Sequence, residues 1–322
     1  MSSNSTILRE REVNGEIQIV LYGVASTITL LSHSLIIIVI TMKKEMWTRS
    51  NFLMGHFSFA NILTHIIGVP VIIINLSNGN GITHGAACSV FGFVIFMMFI
   101  QYAQNLALIA FHRYILISKN KLYATLFSNI KTVLFIAAIW GVAIIFSMPQ
   151  LFGLYITNYQ FEEAFCMIDW QQNSEYVTVI SILTAVIPLL IIMFSYYNVF
   201  KTTKESTKRL RSSSMQAKIP KQKRSSPESR LNKMLILVVL EFLVCFTPYI
   251  IHVIIEGIFH TKTFPALESI SLIIAFSSNM FDILLYFGMS SKFRNALLTL
   301  IKAKQRRHSP NVHPAITLQP ME

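Results

Sequence analysis

The residue with the most chemistry to explain is Arg113. It sits in Phe111-His112-Arg113-Tyr114, at the end of an apolar run that opens on Cys88. The 25 positions from Cys88 to Arg113 rise about 37 Å as a helix, against about 30 Å of bilayer hydrocarbon. A thiol at one aqueous face and a guanidinium at the other make a rod that can be cross-linked outside and can meet a partner inside. The second candidate is Asp282, an ionisable group inside an apolar segment, where such groups are expensive and usually functional. Enzyme chemistry has little support. His33, His56, His65, His84, His112, His252 and His260 are scattered, with no His-x-x-x-His pair and no visible acidic metal cluster. No catalytic residue, metal or cofactor is expected.

What must position these residues is a bundle of membrane helices. Of 322 residues, 53% are hydrophobic and 13% charged, with mean hydropathy +0.55. One soluble core cannot hide that much apolar surface. Apolar spans fall at roughly 17–42, 51–76, 86–117, 130–155, 175–200, 232–260 and 266–289, each long enough to cross a bilayer. The fold class is therefore an all-α membrane protein, a seven-transmembrane bundle. The first span follows a polar start without a small-residue cleavage site, so it reads as a retained helix and not a signal peptide.

Orientation follows from basic residues. Every Lys and Arg except Arg9, Arg11 and Lys262 lies at the inner end of span three or in the segments after spans one, three, five and seven. Cytoplasmic loops collect Lys and Arg, which puts the N-terminus outside and the C-terminus inside, in the plasma membrane. The net charge of +12 is then a topology signal with some attraction to anionic membrane lipid, and nucleic-acid binding is not needed. The expected organisation is an extracellular tail at 1–16, a seven-span bundle at 17–302 with a basic loop at 201–231, and a cytoplasmic tail at 303–322. On this topology Asn4-Ser5-Thr6 is an extracellular glycosylation sequon, whereas Asn75-Leu76-Ser77 sits close to the membrane edge. Cys88 and Cys166 both face the oxidising side, and a disulfide between them is expected to pin the loop before span five over the bundle mouth. Cys245 lies within span six as a small hydrophobe. Pro70, Pro149, Pro188 and Pro248 mark bends.

Together these residues resemble the rhodopsin-like (class A) G-protein-coupled receptors along all seven spans. The resemblance rests on Cys88 with Cys166, His112-Arg113-Tyr114, Trp140, Pro188 with Tyr196, Phe242…Cys245-Phe246-Thr247-Pro248, and Asp282…Tyr286. Ser291 to Leu298 is similar to the family's amphipathic eighth helix. The resemblance implies that span six swings about Pro248, opening a cavity in which Arg113, with Tyr196 and Tyr286, receives a heterotrimeric G protein. The basic, serine-rich loop then suits receptor kinases and arrestin.

The departures carry information too. His112 replaces the acidic residue that usually precedes the arginine. Glu228 falls where the family often places the arginine's partner, so an Arg113–Glu228 pair would hold the resting state; the bland alternative is a glutamate solvated in a basic loop. With one restraint missing, raised basal activity is expected. Asn61 stands for the usual aspartate of span two, and Asp282 for the usual asparagine of span seven, followed by Ile283 in place of proline. Asp282 is expected to hydrogen-bond Asn61 or to sit in a watery cavity; His33 either joins this polar cluster or is a satisfied buried histidine. Span seven should bend less without its proline.

For the ligand, Ile95 stands where amine receptors carry an aspartate, which disfavours a monoamine. Phe276 stands where opsins attach retinal through lysine, which disfavours a retinal photoreceptor. The expected pocket is lined by Ile95, Phe96, Phe99, Tyr249, Val253, Leu272 and Phe276, with Glu256 and Glu268 adding acidity at the rim. It suits a peptide with a basic residue or a lipid-like ligand. His-Arg-Tyr and Cys-Phe-x-Pro-Tyr resemble the nucleotide-receptor branch, but the outer halves of spans six and seven offer no cation for phosphates. The other reading is a receptor fold that does not signal conventionally, as a decoy, a chaperone or a heterodimer partner.

Overall fold

The computed structural model describes residues 2–78, 82, 84–154, 156–161, 163–169, 172–216, 227–259 and 264–308. Among these, seven helical segments are long and apolar enough to cross a membrane: Gly15–Met42, Arg49–Ser77, Gly85–Ser118, Asn129–Leu151, Ser174–Lys208, Ile236–Glu256 and Ala266–Met289. Their outward faces are apolar, with Ile145, Val244 and Leu284 each at least 65% exposed. A helix whose outside is as greasy as its inside has lipid as its natural solvent.

Several segments run further than the hydropathy pattern suggests. The first helix starts at Ser2, well before residue 17, and the helix of span five continues to Gln216, inside the basic loop. Neither extension contains a proline to stop it. Asn4 and Glu228 fall on positions whose side chains lie outside the described residues. Span four is capped by Ser128, whose hydroxyl accepts from the Lys131 amide at 3.3 Å. A last helix, Ser291–His308, follows span seven and buries Phe293 against Tyr286.

Two local changes of winding matter for function. Span five passes through a π-helical turn at Ile182–Val186, just before Pro188. Span seven tightens into a 3-10 turn over Ser278–Phe281, directly before Asp282. The lost proline at Ile283 therefore does not leave uniform winding. Ser278 donates back to the Ala275 carbonyl at 2.8 Å, and the Asn279 side chain is drawn across the bundle to Asn61.

Between spans four and five the chain forms a hairpin, strand β1 (Thr157–Gln160) antiparallel to strand β2 (Phe165–Ile168), with Tyr159 opposite Cys166. All of β2 is buried. The interior divides into two apolar clusters. One, around Leu106, Ala110, Phe127, Met234 and Phe293, lies at the Arg113 end; the other, around Tyr22, Phe91, Phe96, Phe165 and Phe276, lies under the hairpin.

Candidate functional site

The hairpin is seated covalently and sterically. Cys88, near the start of span three, is disulfide-bonded to Cys166, with Cα atoms 5.4 Å apart. Gly92, one turn further on, is where the helix and hairpin touch: a Cβ there would lie 3.1 Å from Gln150 Oε1, 3.1 Å from Thr157 Cγ2 and 3.2 Å from the Cys166 carbonyl. Asn75 ties span two to the same loop, donating to the Ala164 carbonyl and accepting from the Ile82 amide, both at 2.8 Å. Its side chain is buried and fully occupied, so the sequon at Asn75 is a structural tie and not an accessible acceptor for glycan.

Beneath the hairpin, all seven residues expected to line a pocket come together. Ile95, Phe96, Tyr249, Leu272 and Phe276 are buried, with Phe99 and Val253 packed against them. They form a filled aromatic core: Phe99 meets Phe246, Tyr249 and Phe276 with ring centroids 6.0–6.4 Å apart. The remaining space is a cavity of about 20 Å³ between spans two, three, six and seven, room for about one water. Rings of this size interdigitate to close the chamber that their positions outline.

At the hairpin tip the structure adds a polar cluster that no sequence motif announced. Ala164 adopts φ 56°, and next to it Glu163 is turned inward, 2% exposed. Its Oε1 lies 3.5 Å from His252 Nε2 of span six. His252, Glu256 and Glu268 place ligand-type atoms within 4.8 Å of one another. This corrects the expectation of no such group. The signal available was the His252-x-x-x-Glu256 spacing, which sets two residues on one helix face; Glu268 joins from span seven. Burial pushes the Glu163 carboxyl upward, an effect that His252 partly offsets.

In mid-bundle, Asn61 accepts from Asn279 Nδ2 at 2.9 Å, and Tyr102 donates to Asn279 Oδ1 at 2.7 Å. Asn279, absent from the sequence expectations, thus takes the place foreseen for Asp282. Asp282 instead faces His33, with Oδ2 3.6 Å from Nε2 and both side chains buried. His33 therefore belongs to the polar cluster. A separate relay joins spans two, three and four: Trp140 Nε1 donates to His56 Nε2 at 2.8 Å, His56 Nδ1 meets Asn105 Oδ1 at 2.9 Å, and Asn105 Nδ2 donates to Gln101. Indole can only donate, so the His56 proton resides on Nδ1 and every member has a direction.

At the other end Arg113 is 4% exposed and its Nη2 donates to Ser50 Oγ at 2.5 Å. Tyr196 and Tyr286 line a cavity of about 10 Å³ with Phe57, Leu106, Ile109, Val238 and Val239. The buried Tyr196 hydroxyl has no hydrogen-bond partner. His112 points the other way, stacking edge-on against Phe127 at 4.7 Å and reaching the Tyr123 hydroxyl at 3.3 Å. It therefore anchors the short helix Asn120–Leu126. Tyr114 packs on Phe194 of span five, and Phe242 and Phe246 pack on Tyr102. A cavity of about 780 Å³ lies beside this end, between Ile40, Trp47, Arg49, Phe52, Tyr123 and Val133.

Comparison with known proteins agrees with this geometry. The profile described as "7 transmembrane receptor (rhodopsin family)" matches residues 33–286. Pinopsin of Gallus gallus is 25% identical over 290 residues, covering 88% of this chain and 79% of its own length. A protein named "Rhodopsin, GQ-coupled" from Mizuhopecten yessoensis is 22% identical over 279 residues, covering 83% of this chain and 56% of its own length. Squid rhodopsin superposes with a TM-score of 0.78 at 20% identity, covering 94% of this chain and 93% of that one. With the family's profile spanning most of its length, its disulfide in place and its seven spans arranged as in a rhodopsin, this chain belongs to the rhodopsin family of seven-transmembrane receptors.

Proposed function

We propose that this receptor sits in the plasma membrane with the hairpin outside, binds an extracellular ligand and activates a heterotrimeric G protein. The observation that carries the proposal is the burial of Arg113 beside Ser50 at the inner end of the core. A guanidinium is costly to bury. One held in the floor of a closed bundle, with Tyr196 close by, is placed to exchange its partners when span six moves about Pro248 and a helix from a G-protein α-subunit enters. Activation is then a two-state equilibrium biased by whatever binds the open state more tightly.

The ligand best suited to the hairpin end has an apolar body and a basic group, a peptide in preference to a lipid. The aromatic core supplies the apolar contact, and Glu163, Glu256 and Glu268 supply the negative charge. Phe276 closes the core with an edge-on contact to Tyr22 at 5.8 Å and offers no amine for a Schiff base. Receptor kinases and arrestin would follow activation at the basic, serine-rich loop.

The test is ligand-free G-protein activation in transfected cells, read with a panel of α-subunit dissociation sensors. Wild type is compared with Arg113→Ala at matched surface expression. A basal signal in one sensor, abolished in the variant, is the expected result, because no carboxylate at position 112 restrains Arg113. A signal that survives Arg113→Ala would overturn the proposed mechanism, and silence from every sensor would favour a receptor fold that does not signal.

A further inference from the structure

We propose that His252, Glu256 and Glu268 form a binding site for a Zn²⁺-class divalent cation at the hairpin end of the bundle, with Glu163 orienting the histidine. The three residues offer one nitrogen and two carboxylates, a donor set that suits zinc. Calcium and magnesium prefer oxygen alone. Their ligand atoms already lie within 4.8 Å of one another. Tetrahedral coordination with bonds of about 2.0–2.1 Å sets ligand atoms about 3.3 Å apart, so closing the site needs rotamer adjustments of an ångström or so. His252 and Glu256 are one helical turn apart on span six and share a face. Glu268 is in the first turn of span seven and only half-buried.

The observation independent of this triad is Glu163. It is 2% exposed, no close hydrogen bond reaches either of its oxygens among the described residues, and His252 Nε2 stands 3.5 Å from its Oε1. Leaving a carboxylate so placed costs free energy. A carboxylate against the imidazole of a metal ligand fixes ring orientation and tautomer and raises ligand basicity. Because Glu163 belongs to the disulfide-tied hairpin, the ion would bind spans six and seven next to a loop fixed to span three.

The inference gives the same carboxylates a different occupant from the basic group of the proposed ligand, it does not depend on signalling, and its test uses no G protein. The full-length receptor, purified with a chelator and placed in nanodiscs of zwitterionic phospholipid, is titrated with Zn²⁺ against a chromophoric chelator. Binding of Co²⁺ is followed by its visible absorption. The expected result is one Zn²⁺ per chain, not displaced by millimolar Ca²⁺, with the site lost in both His252→Asn and Glu268→Gln. Glu163→Gln should weaken it about 10-fold, as removal of an orienting carboxylate does. The two ligand substitutions lie on different helices, so if either prevents folding, judged by monodispersity, the other decides. A wild type that binds less than one equivalent, or that binds unchanged in the folded ligand variants, would overturn the site.

Discussion

Gly92 offers a prediction whose sign the structure decides. Replacing glycine by alanine inside a helix ordinarily gains up to about 1 kcal/mol. At Gly92 the new Cβ would lie 3.1 Å from Gln150 Oε1, 3.1 Å from Thr157 Cγ2 and 3.2 Å from the Cys166 carbonyl. The carbonyl belongs to a fully buried strand held by a disulfide, and Gln150 is 0% exposed, so neither gives way cheaply. Overpacking costs about 1–3 kcal/mol; against groups held this firmly the upper part of that range, about 2–3 kcal/mol, applies, and less the helix gain of about 1 kcal/mol it leaves a net loss of about 1–2 kcal/mol. Gly68 provides the internal control. Its Cβ would lie 3.0 Å from Ile95 Cδ1, the end of a flexible side chain in a core that retains a small cavity nearby. Gly68→Ala should therefore be close to neutral. With about 2–4 °C per kcal/mol, Gly92→Ala should lower the apparent melting midpoint of the purified receptor by about 2–8 °C relative to Gly68→Ala. A Gly92→Ala variant as stable as wild type, or less affected than Gly68→Ala, would show that the hairpin does not seat on span three as described.

Three further outcomes are expected. Cys88→Ser and Cys166→Ser each open a cross-link spanning 78 positions, worth up to about 4.5 kcal/mol of chain entropy; both should reduce surface expression equally, and the double variant should be no worse than either single one. Glu163 has a raised pKa through burial, so the stability it contributes is present at low pH and lost as pH rises above the ordinary value of 4.5 through the folded one. In chelator, the melting advantage of Glu163→Gln over wild type should thus open above pH 4.5, grow as the pH passes through the raised folded pKa and then level off; a gap constant with pH would refute it. Trp140→Phe strands a half-buried acceptor on His56 and should cost about 1 kcal/mol, and a cycle with His56→Phe should show coupling above about 0.5 kcal/mol, whereas additive losses would mean the relay is not formed.

The spans and the disulfide were legible because hydropathy and cysteine placement report directly on them; that seven residues of spans three, six and seven gather beneath the hairpin was legible too, but the sequence outlined a pocket there and the rings fill it. Partner choice in the polar middle was not. Asp282 was expected to face Asn61, yet Asn279 does so. The reason is rotational: in a 3-10 turn residues i and i+3 eclipse one another, so Asn279 and Asp282 both project inward and each finds a different partner. Hydropathy locates a helix along the membrane normal but fixes its rotation only coarsely. For the same reason Arg113 could be placed at the end of its span, while its bond to Ser50 could not. The inward turn at Glu163 depends on Ala164 at φ 56°, a left-handed conformation for which alanine gives no sequence signal.

These features converge on span six. His252 and Glu256 of the acidic cluster lie on the hairpin side of Pro248 in that helix, and Phe242 and Phe246 lie on the other. From Val238 to Glu256 is 18 positions, about 27 Å along a helix, so the helix reaches from the acidic cluster to the cavity shared by Tyr196 and Tyr286. Between the two ends, rings run in contact: Tyr249 to Phe99, Phe99 to Phe246, Phe246 to Tyr102, and Tyr102 by its hydroxyl to Asn279. Contact alone is not coupling, which needs an element with two arrangements that both sites bias. Pro248 supplies the place where such an element can bend, because it lacks the amide that would brace the helix there. A cation or basic group tying His252 to span seven would hold the outer half of span six, and a G protein would hold the inner half. Each occupant then changes the affinity of the other by the same factor, as linkage requires.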